Sequence, residues 1–206
     1  SHAFRLDCRD LSYQTYEIQF GDYGLLLIDS MVKHSLASSE YNLRRAECET
    51  AVETLSLKFQ GIASLRDANL EQLESIKDHL TLKVYNRAKY VIEEIERVSL
   101  ACEAIGRNDL PELGKLIYAS HNGLQHLYEV SCQELDFLVD FTRNDEAVLG
   151  ARMMGGGFGG CTINLVRKDQ IGRLKEEVTH AYQKRYGIAP NIYEVQTADG
   201  SSEVSN

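Results

Sequence analysis

Glycine dominates the stretch best suited to binding a ligand, residues 150–161 (GARMMGGGFGGC). Five of the chain's fifteen glycines lie between Met154 and Cys161. The flanking segments, 148–153 and 161–166, have the apolar and β-branched spacing of strands. Glycine allows a positive φ angle and removes the Cβ atom that keeps other groups away. Two glycines suffice for a tight hairpin, so two interpretations remain: a bulged turn, or a loop approached by a phosphate, a sugar or another backbone segment.

Two known phosphate-binding signatures do not fit this loop. Gly155, Gly157 and Gly160 have the GxGxxG spacing of a dinucleotide-binding loop. That loop needs a helix N-terminus directly after it, whereas the pattern here continues as a strand. No Gly-Lys-Ser/Thr sequence closes the run, so it is not a P-loop either.

A second group of polar residues lies where a helix is predicted to begin. Lys33, Ser35 and Tyr41 belong to a serine-rich segment, and a serine is expected to cap the helix that follows. A lysine, hydroxyl groups and free helix amides at a helix N-terminus favour a bound phosphate. Ordinary capping and solvent exposure is the alternative interpretation of the same three residues.

The histidines and cysteines do not indicate a metal site. His121 lies beside the buried face of a predicted helix, and no second metal ligand or nucleophile has a matching spacing, so we interpret it as a hydrogen-bonded structural residue. The five cysteines are scattered and form no CxxC pair. This usage is typical of reduced thiols in a cytoplasmic protein without a zinc site.

Composition excludes several classes of protein. A length of 206 residues suits one domain, or one domain and part of another. The net charge of −9 argues against nucleic-acid binding. The longest apolar run, residues 25–28, is far too short to cross a membrane. Residues 1–20 alternate polar and apolar side chains, so we expect no signal peptide there.

The order of predicted elements gives an α+β fold. From residue 24 we predict a strand, several helices, a strand, the glycine-rich turn, a strand, a helix and a strand. Right-handed crossovers make this a split βαβ unit. The prediction is a ferredoxin-like, four-stranded antiparallel sheet with added helices, all on one face. The apolar run near residue 25 is expected to be a central strand covered on both faces.

Residues 4–20 predict a β-hairpin that does not fit this unit. We therefore divide the chain into a residual hairpin, residues 1–22, and a main domain, residues 23–206. A terminal edge strand of a complete domain is the alternative for the first residues.

Capping signals locate several helix ends. Asp109 with Pro111 predicts one helix start. A capping box at 131–134 predicts another, and Asp169 is expected to cap a helix that ends at Gly187. Further helices are predicted at about 38–57, 70–79 and 82–105.

Two stretches resemble a known family. Residues 34–45 (HSLASSEYNLRR) resemble the start of the C-terminal domain of galactokinases, and residues 150–161 resemble the third motif of the GHMP kinases in its galactokinase form. Residues 128–136 (YEVSCQELD) and 198–200 (ADG) lie where a galactokinase has similar sequences. The resemblance runs from residue 4 to residue 200 and is closer to galactokinases than to mevalonate or homoserine kinases.

The resemblance implies a role for each candidate residue. Tyr41 would line the galactose pocket, and Lys33 with Ser35 would lie near the nucleotide phosphates. The glycines of the loop would pack against a phosphate loop and close the site between two domains: Gly155, Gly156, Gly157, Gly159 and Gly160. Met154 stands where the family usually has threonine, which removes a hydroxyl but no backbone contact. Gly156 stands where the family usually has alanine.

The resemblance also implies the substrates D-galactose and ATP, with Mg²⁺. A galactokinase is roughly twice as long as this chain. Its N-terminal half carries the phosphate loop, the first motif and the aspartate taken as catalytic base. We therefore expect no catalytic or metal-binding residue in this chain and no kinase activity from it alone. Its expected partner is the missing N-terminal domain, and the exposed hairpin predicts a homodimer or strand exchange through residues 4–20.

Two other functions fit the same residues. Some proteins of the galactokinase fold are galactose-sensing regulators, which bind sugar and ATP without turnover and pass the signal to a protein. An α+β interaction module that keeps the fold without the chemistry is a third interpretation. Loss of Tyr41 or of the glycines would favour the module, and both features are present.

Overall fold

The computed structural model describes residues 2–32 and 37–198. Its elements, in chain order, are β1 (His2–Leu6), β2 (Tyr13–Glu17), β3 (Tyr23–Asp29), α1 (Ala37–Lys58), α2 (Leu70–Glu74), α3 (Leu82–Gly106), α4 (Leu110–His126), α5 (Gln133–Arg143), β4 (Val148–Met153), β5 (Cys161–Arg167), α6 (Ile171–Tyr186) and β6 (Asn191–Val195). In this described part, no helix is both long and apolar enough to cross a membrane.

Four strands form one antiparallel sheet in the order β4-β5-β3-β6. The described part of the crossover from β3 to β4 contains the helices α1 to α5, and the crossover from β5 to β6 contains α6. Each crossover joins strands that are not neighbours in the sheet, as in a split βαβ unit. The ferredoxin-like sheet with added helices, predicted from the order of elements, is therefore confirmed.

Helical residues contact both faces of this sheet. On β3, Leu26 and Ile28 join a buried cluster with α5 and α6. The alternate residue Leu25 packs into a second cluster with Ala104 of α3 and Leu113 of α4. The expectation that all helices lie on one face is wrong, because β3 is apolar on both sides and each side is covered. Its prediction as a central, doubly covered strand is confirmed.

The N-terminal residues form a separate two-stranded sheet. β1 and β2 pair antiparallel, with Phe4 opposite Thr15. Ile18, just after β2, is buried with the ends of α3 and α4. The loop between the strands is tied to the rest of the chain by an ion pair between Asp7 and Arg66 at 2.6 Å. The predicted hairpin is confirmed, and the boundary at residue 22 stays a prediction.

Two predicted caps need correction. The Asp109 carboxylate accepts the Glu112 N–H at 3.0 Å, as expected for the start of α4. At α5, however, Cys132 is the N-cap, and the Ser131 hydroxyl donates to the Asp136 carboxylate instead. Asp169 does not cap α6, because a 3-10 turn at Lys168–Gln170 precedes that helix and its carboxylate pairs with Arg167 at 2.7 Å.

The helix predicted at 70–79 is shorter than expected. α2 ends at Glu74, and a 3-10 turn, Lys77–His79, follows it. At the end of α6, Gly187 takes the left-handed conformation with φ of 75°, as its position predicted.

Helix α4 lies directly on strand β4. A Cβ atom on Gly150 would overlap the backbone of Gly114, so both glycines are needed for this approach. Further along α4, the buried His121 accepts the Met153 N–H on Nδ1 at 3.2 Å. The structural role predicted for His121 agrees with this bond, which fixes the end of β4 just before the glycine-rich loop.

Candidate functional site

The glycine-rich loop connects the antiparallel strands β4 and β5. The Met154 N–H donates to the Cys161 carbonyl at 3.0 Å and closes the loop. Five of the enclosed residues have positive φ angles: Gly155 (78°), Gly157 (87°), Phe158 (60°), Gly159 (134°) and Gly160 (81°). Glycine adopts this conformation at low cost, whereas other residues seldom do. The sequence at four of these positions therefore follows from the shape of the loop itself.

The inner half of the loop packs against the chain's own backbone. A Cβ on Gly157 would overlap the Val130 carbonyl, and one on Gly159 would lie 2.8 Å from the Val32 carbonyl oxygen. Between them, the Phe158 N–H donates to the Val130 carbonyl at 2.7 Å. Close approach by a backbone segment, one of the interpretations offered above, is confirmed for these two glycines, and the segment belongs to this chain.

The outer half of the loop is open. Gly155 and Gly156 are exposed, and no atom of the described residues lies within 4 Å of where a Cβ on either would be. Their N–H groups donate to no residue that the structure describes. Free amides beside a left-handed glycine form a concave surface that suits an anion. The residues present in the outer half therefore fit a phosphate group.

The segment that supports the loop, residues 127–130, is held by two buried arginines. Arg44 of α1 donates to the carbonyls of Tyr128 and Glu129, each at 2.7 Å. Arg87 of α3 is fully buried and donates to the Leu127 carbonyl. The planar guanidinium group suits such multiple contacts, because its five N–H donors have a fixed geometry.

Carboxylates neutralise these two arginines. Glu47 of α1 lies 3.1 Å from Arg87 and 3.7 Å from Arg44, and Glu40 lies 3.2 Å from Arg44. The Glu129 carboxylate binds Arg87 at 2.5 Å, which lowers the pKa of Glu129. An unpaired buried charge is costly, whereas a paired and hydrogen-bonded one is tolerated.

Tyr41 lies in the second turn of α1 with 63% of its surface exposed. It borders a cleft of about 530 Å³ between α1, residues 63–65, Val91 and Tyr128. That volume is within the range of about 300–1,000 Å³ that small-molecule sites occupy. Burial raises the pKa of the Tyr128 hydroxyl and of the Cys48 thiol, so both of these groups are uncharged at neutral pH.

Contacts of Arg44 and Ser30 show what lies on either side of the glycine-rich loop. Arg44 lies three residues after Tyr41, and its guanidinium carbon is 6.0 Å from the centroid of the Phe158 ring in the loop. On the other side, the Ser30 N–H and hydroxyl both donate to the Gly160 carbonyl, at 2.9 and 2.8 Å. Lys33 and Ser35 lie outside the described residues, although Val32, which precedes them, contacts Gly159.

Sequence reasoning missed Arg44, Arg87 and the 127–130 segment. Arg44 appears in the sequence as one of two adjacent arginines on a helix, a pattern that usually indicates a solvated face. Its burial depends on a segment 84 residues away, which no local pattern reveals. In the described residues, no cluster of three or more His, Cys, Asp or Glu side chains is arranged to bind a metal ion.

Residues 101–184 match the family model described as "GHMP kinases C terminal". The chain is 44% identical over 203 residues to a galactokinase of Thermotoga maritima, covering 98% of this chain and 55% of the relative. It is 41% identical over 200 residues to a galactokinase of Staphylococcus saprophyticus, covering 97% of this chain and 52% of the relative. The chain thus spans about half the length of the curated relatives it matches.

Two solved kinase structures are similar to this chain. The structure of Lactococcus lactis galactokinase with galactose matches with a TM-score of 0.92 and 31% identity, over 98% of this chain and 52% of that one. The structure of L. major mevalonate kinase with R-mevalonate matches with a TM-score of 0.55 and 21% identity, over 94% of this chain and 47% of that one. The second match shows a shared fold alone.

Proposed function

We propose that this chain is the C-terminal part of a galactokinase, because residues 101–184 match the model for the C-terminal part of GHMP kinases and almost the whole chain is similar to galactokinases. The full-length protein transfers the γ-phosphoryl group of ATP to D-galactose and forms galactose 1-phosphate. The observation that carries this proposal is the open outer half of the glycine-rich loop, where no described residue accepts from the amides of Gly155 and Gly156 or lies over them.

Each candidate residue has a role in this proposal. Tyr41 packs against the sugar or hydrogen-bonds to it, which suits an exposed ring bordering a cleft. Gly155 and Gly156 present their amides to the nucleotide phosphates, while Gly157, Gly159 and Gly160 give the loop its shape. Lys33 and Ser35 remain proposed phosphate contacts. Mg²⁺ bound to ATP supplies further charge neutralisation.

This chain supplies positioning and not the proton acceptor. Phosphoryl transfer depends mainly on alignment and charge neutralisation, with a base that deprotonates the attacking hydroxyl. We place the base and the phosphate loop in the N-terminal half of the full-length protein, as in the family pattern. The 206-residue chain alone therefore gives no turnover in a coupled ATPase assay with galactose.

The proposal is tested by Tyr41→Ala in the full-length protein. Removing the ring takes away a sugar contact, so the KM for galactose rises about tenfold, corresponding to about 1.4 kcal/mol of lost binding. The KM for ATP changes less. Steady-state kinetics with each substrate varied in turn measures both values.

Tyr193→Ala is the matched control, because Tyr193 is also exposed but lies on β6, and it should leave both KM values unchanged. An equal rise in both KM values for Tyr41→Ala would contradict the assignment of Tyr41 to the sugar. A full-length protein that binds galactose and ATP without turnover would instead favour a galactose-sensing regulator.

A further inference from the structure

Helix α1 and the glycine-rich loop are attached to the same short segment. Arg44 binds the carbonyls of Tyr128 and Glu129. The next carbonyl, that of Val130, accepts the Phe158 N–H at 2.7 Å and lies against Gly157. Three consecutive carbonyl groups therefore connect the helix that carries Tyr41 to the loop that carries Gly155 and Gly156.

We propose that Arg44 is a positioning residue that sets the distance between the sugar-binding and phosphate-binding parts of the site. Arg44 does not reach a substrate itself. Arg44 acts by fixing α1, at a point one turn from Tyr41, to the 127–130 segment on which the loop rests. This inference rests on the proposed function of Tyr41 and the loop, and it adds the residue that couples them.

Arg44 suits this role better than Arg87. Both arginines hold the 127–130 segment, but Arg87 projects from α3, which carries neither Tyr41 nor a glycine of the loop. Arg44 also lies beside the Phe158 ring, with 6.0 Å from its guanidinium carbon to the ring centroid. Arg44 therefore contacts the 127–130 segment, lies close to the glycine-rich loop, and belongs to the same helix as Tyr41.

The contacts of Arg44 need an arginine and not only a positive charge. Its Nε binds one carbonyl and one terminal nitrogen binds the next, while the other terminal nitrogen faces Glu40 at 3.2 Å. A lysine ammonium group on a flexible stem cannot reproduce this fixed fork. Arg44→Lys keeps the charge and loses the geometry, which makes it the decisive substitution.

The first test measures the loop directly, by hydrogen–deuterium exchange of the full-length protein. The Phe158 amide should exchange about tenfold faster in Arg44→Lys, because the Val130 carbonyl that accepts its hydrogen bond is no longer held in place. Arg107→Lys is the control, since the Arg107 side chain is exposed and forms an ion pair with Glu103 at 3.6 Å. Unchanged Phe158 exchange in Arg44→Lys overturns the proposal, whatever reaction the protein catalyses.

The second test measures both KM values. If Arg44 couples the two parts, Arg44→Lys raises the KM for galactose and the KM for ATP together, each about tenfold. Tyr41→Ala should raise mainly the first. A lower kcat with both KM values unchanged would mean only a smaller folded fraction, and it would overturn the positioning role.

Glu40→Gln provides a milder variant in case Arg44→Lys does not fold. It removes the charge beside one nitrogen of Arg44 and leaves the buried side chain in place. Both KM values should rise about twofold, in the same direction as for Arg44→Lys. A change in the galactose KM alone would argue that α1 and the loop are not coupled through Arg44. Hydrogen–deuterium exchange of the Phe158 amide does not depend on turnover. It therefore distinguishes a failure of the positioning role of Arg44 from a failure of the galactokinase proposal.

Discussion

Gly156 and Gly157 are adjacent in the sequence, but the fold requires glycine at only one of them. Gly157 has a φ of 87°, and a Cβ there would overlap the Val130 carbonyl. Gly156 does not have a positive φ, and none of the residues that the structure describes lies within 4 Å of its Cβ position. At Gly157 the reason for glycine is internal to the chain, whereas at Gly156 a small side chain fits without strain.

Gly157→Ala should therefore destabilise the chain strongly. The left-handed φ alone costs about 1–3 kcal/mol for a residue with a Cβ, and the overlap with Val130 adds to this. Thermal unfolding followed by circular dichroism should show Tm lower by about 5 °C or more.

Gly156→Ala is the matched control for this substitution. Its Tm should change little, because surface substitutions without a specific contact alter stability by about 0.5 kcal/mol or less. Equal losses of stability for the two variants would mean that the loop does not rest on Val130.

At the scale of elements, the 127–130 segment is the centre of the candidate site. It joins α4 to α5, and α1, α3 and the glycine-rich loop all bind it. Glu129 takes a φ of 51°, which a non-glycine residue adopts only when its surroundings hold it. Arginine contacts to the two preceding carbonyls and to Glu129 itself supply that restraint.

The ion pair of Glu129 with Arg87 should make stability depend on pH. Arg87 lowers the pKa of Glu129 in the folded protein below its ordinary, unfolded value of 4.5. The stabilisation is therefore fully present above that unfolded value and is lost as the pH falls through the folded pKa. Glu129→Gln should be less stable than the unsubstituted chain at pH 7, and the difference should shrink toward pH 3.

Urea unfolding at several pH values measures this difference. Glu103→Gln serves as the comparison, because its partner Arg107 is exposed and exposed pairs contribute little. If the difference in free energy of unfolding between Glu129→Gln and the unsubstituted chain is the same at pH 7 and pH 3, the carboxylate charge is not the source of the stabilisation by Arg87.

At the scale of the whole molecule, the N-terminal hairpin has an exposed apolar face. Phe4 and Tyr13 are each 69% exposed, and Leu6 lies on the same face. Among the described residues, neither outer edge of the hairpin pairs with another strand. A two-stranded sheet is only marginally stable in water, and open edges favour pairing with another chain.

We therefore expect the 206-residue chain to form a dimer through the hairpin. Size-exclusion chromatography with light scattering should give twice the mass of one chain, which is 23.2 kDa. Phe4→Lys should shift the protein to a monomer, because a charge on this face opposes pairing.

Tyr193→Lys tests whether the dimer forms through the other exposed strand, β6, and not through the hairpin. Tyr193 is exposed on β6, an outer strand of the four-stranded sheet. If this variant abolishes the dimer and Phe4→Lys does not, the self-association occurs through β6 and the hairpin is not involved.

The sequence alone determined the elements and the loop, because both follow from local chemistry. Periodicity located the strands and long helices, and the order of the elements fixed the ferredoxin-like sheet. The five glycines identified a loop of unusual backbone conformation. Asp109 and Gly187 marked helix ends by local hydrogen bonding and φ preference.

Only the tertiary structure decided which glycines serve the fold and which remain open to a ligand. That division depends on Val130 and Val32, which are close to the loop in space and distant from it in sequence. Sequence patterns also did not indicate the role of Arg44, because its two acceptors lie 84 and 85 residues further along the chain. Long-range contacts of this kind depend on how helices cross the sheet, and a local pattern of residues does not encode them.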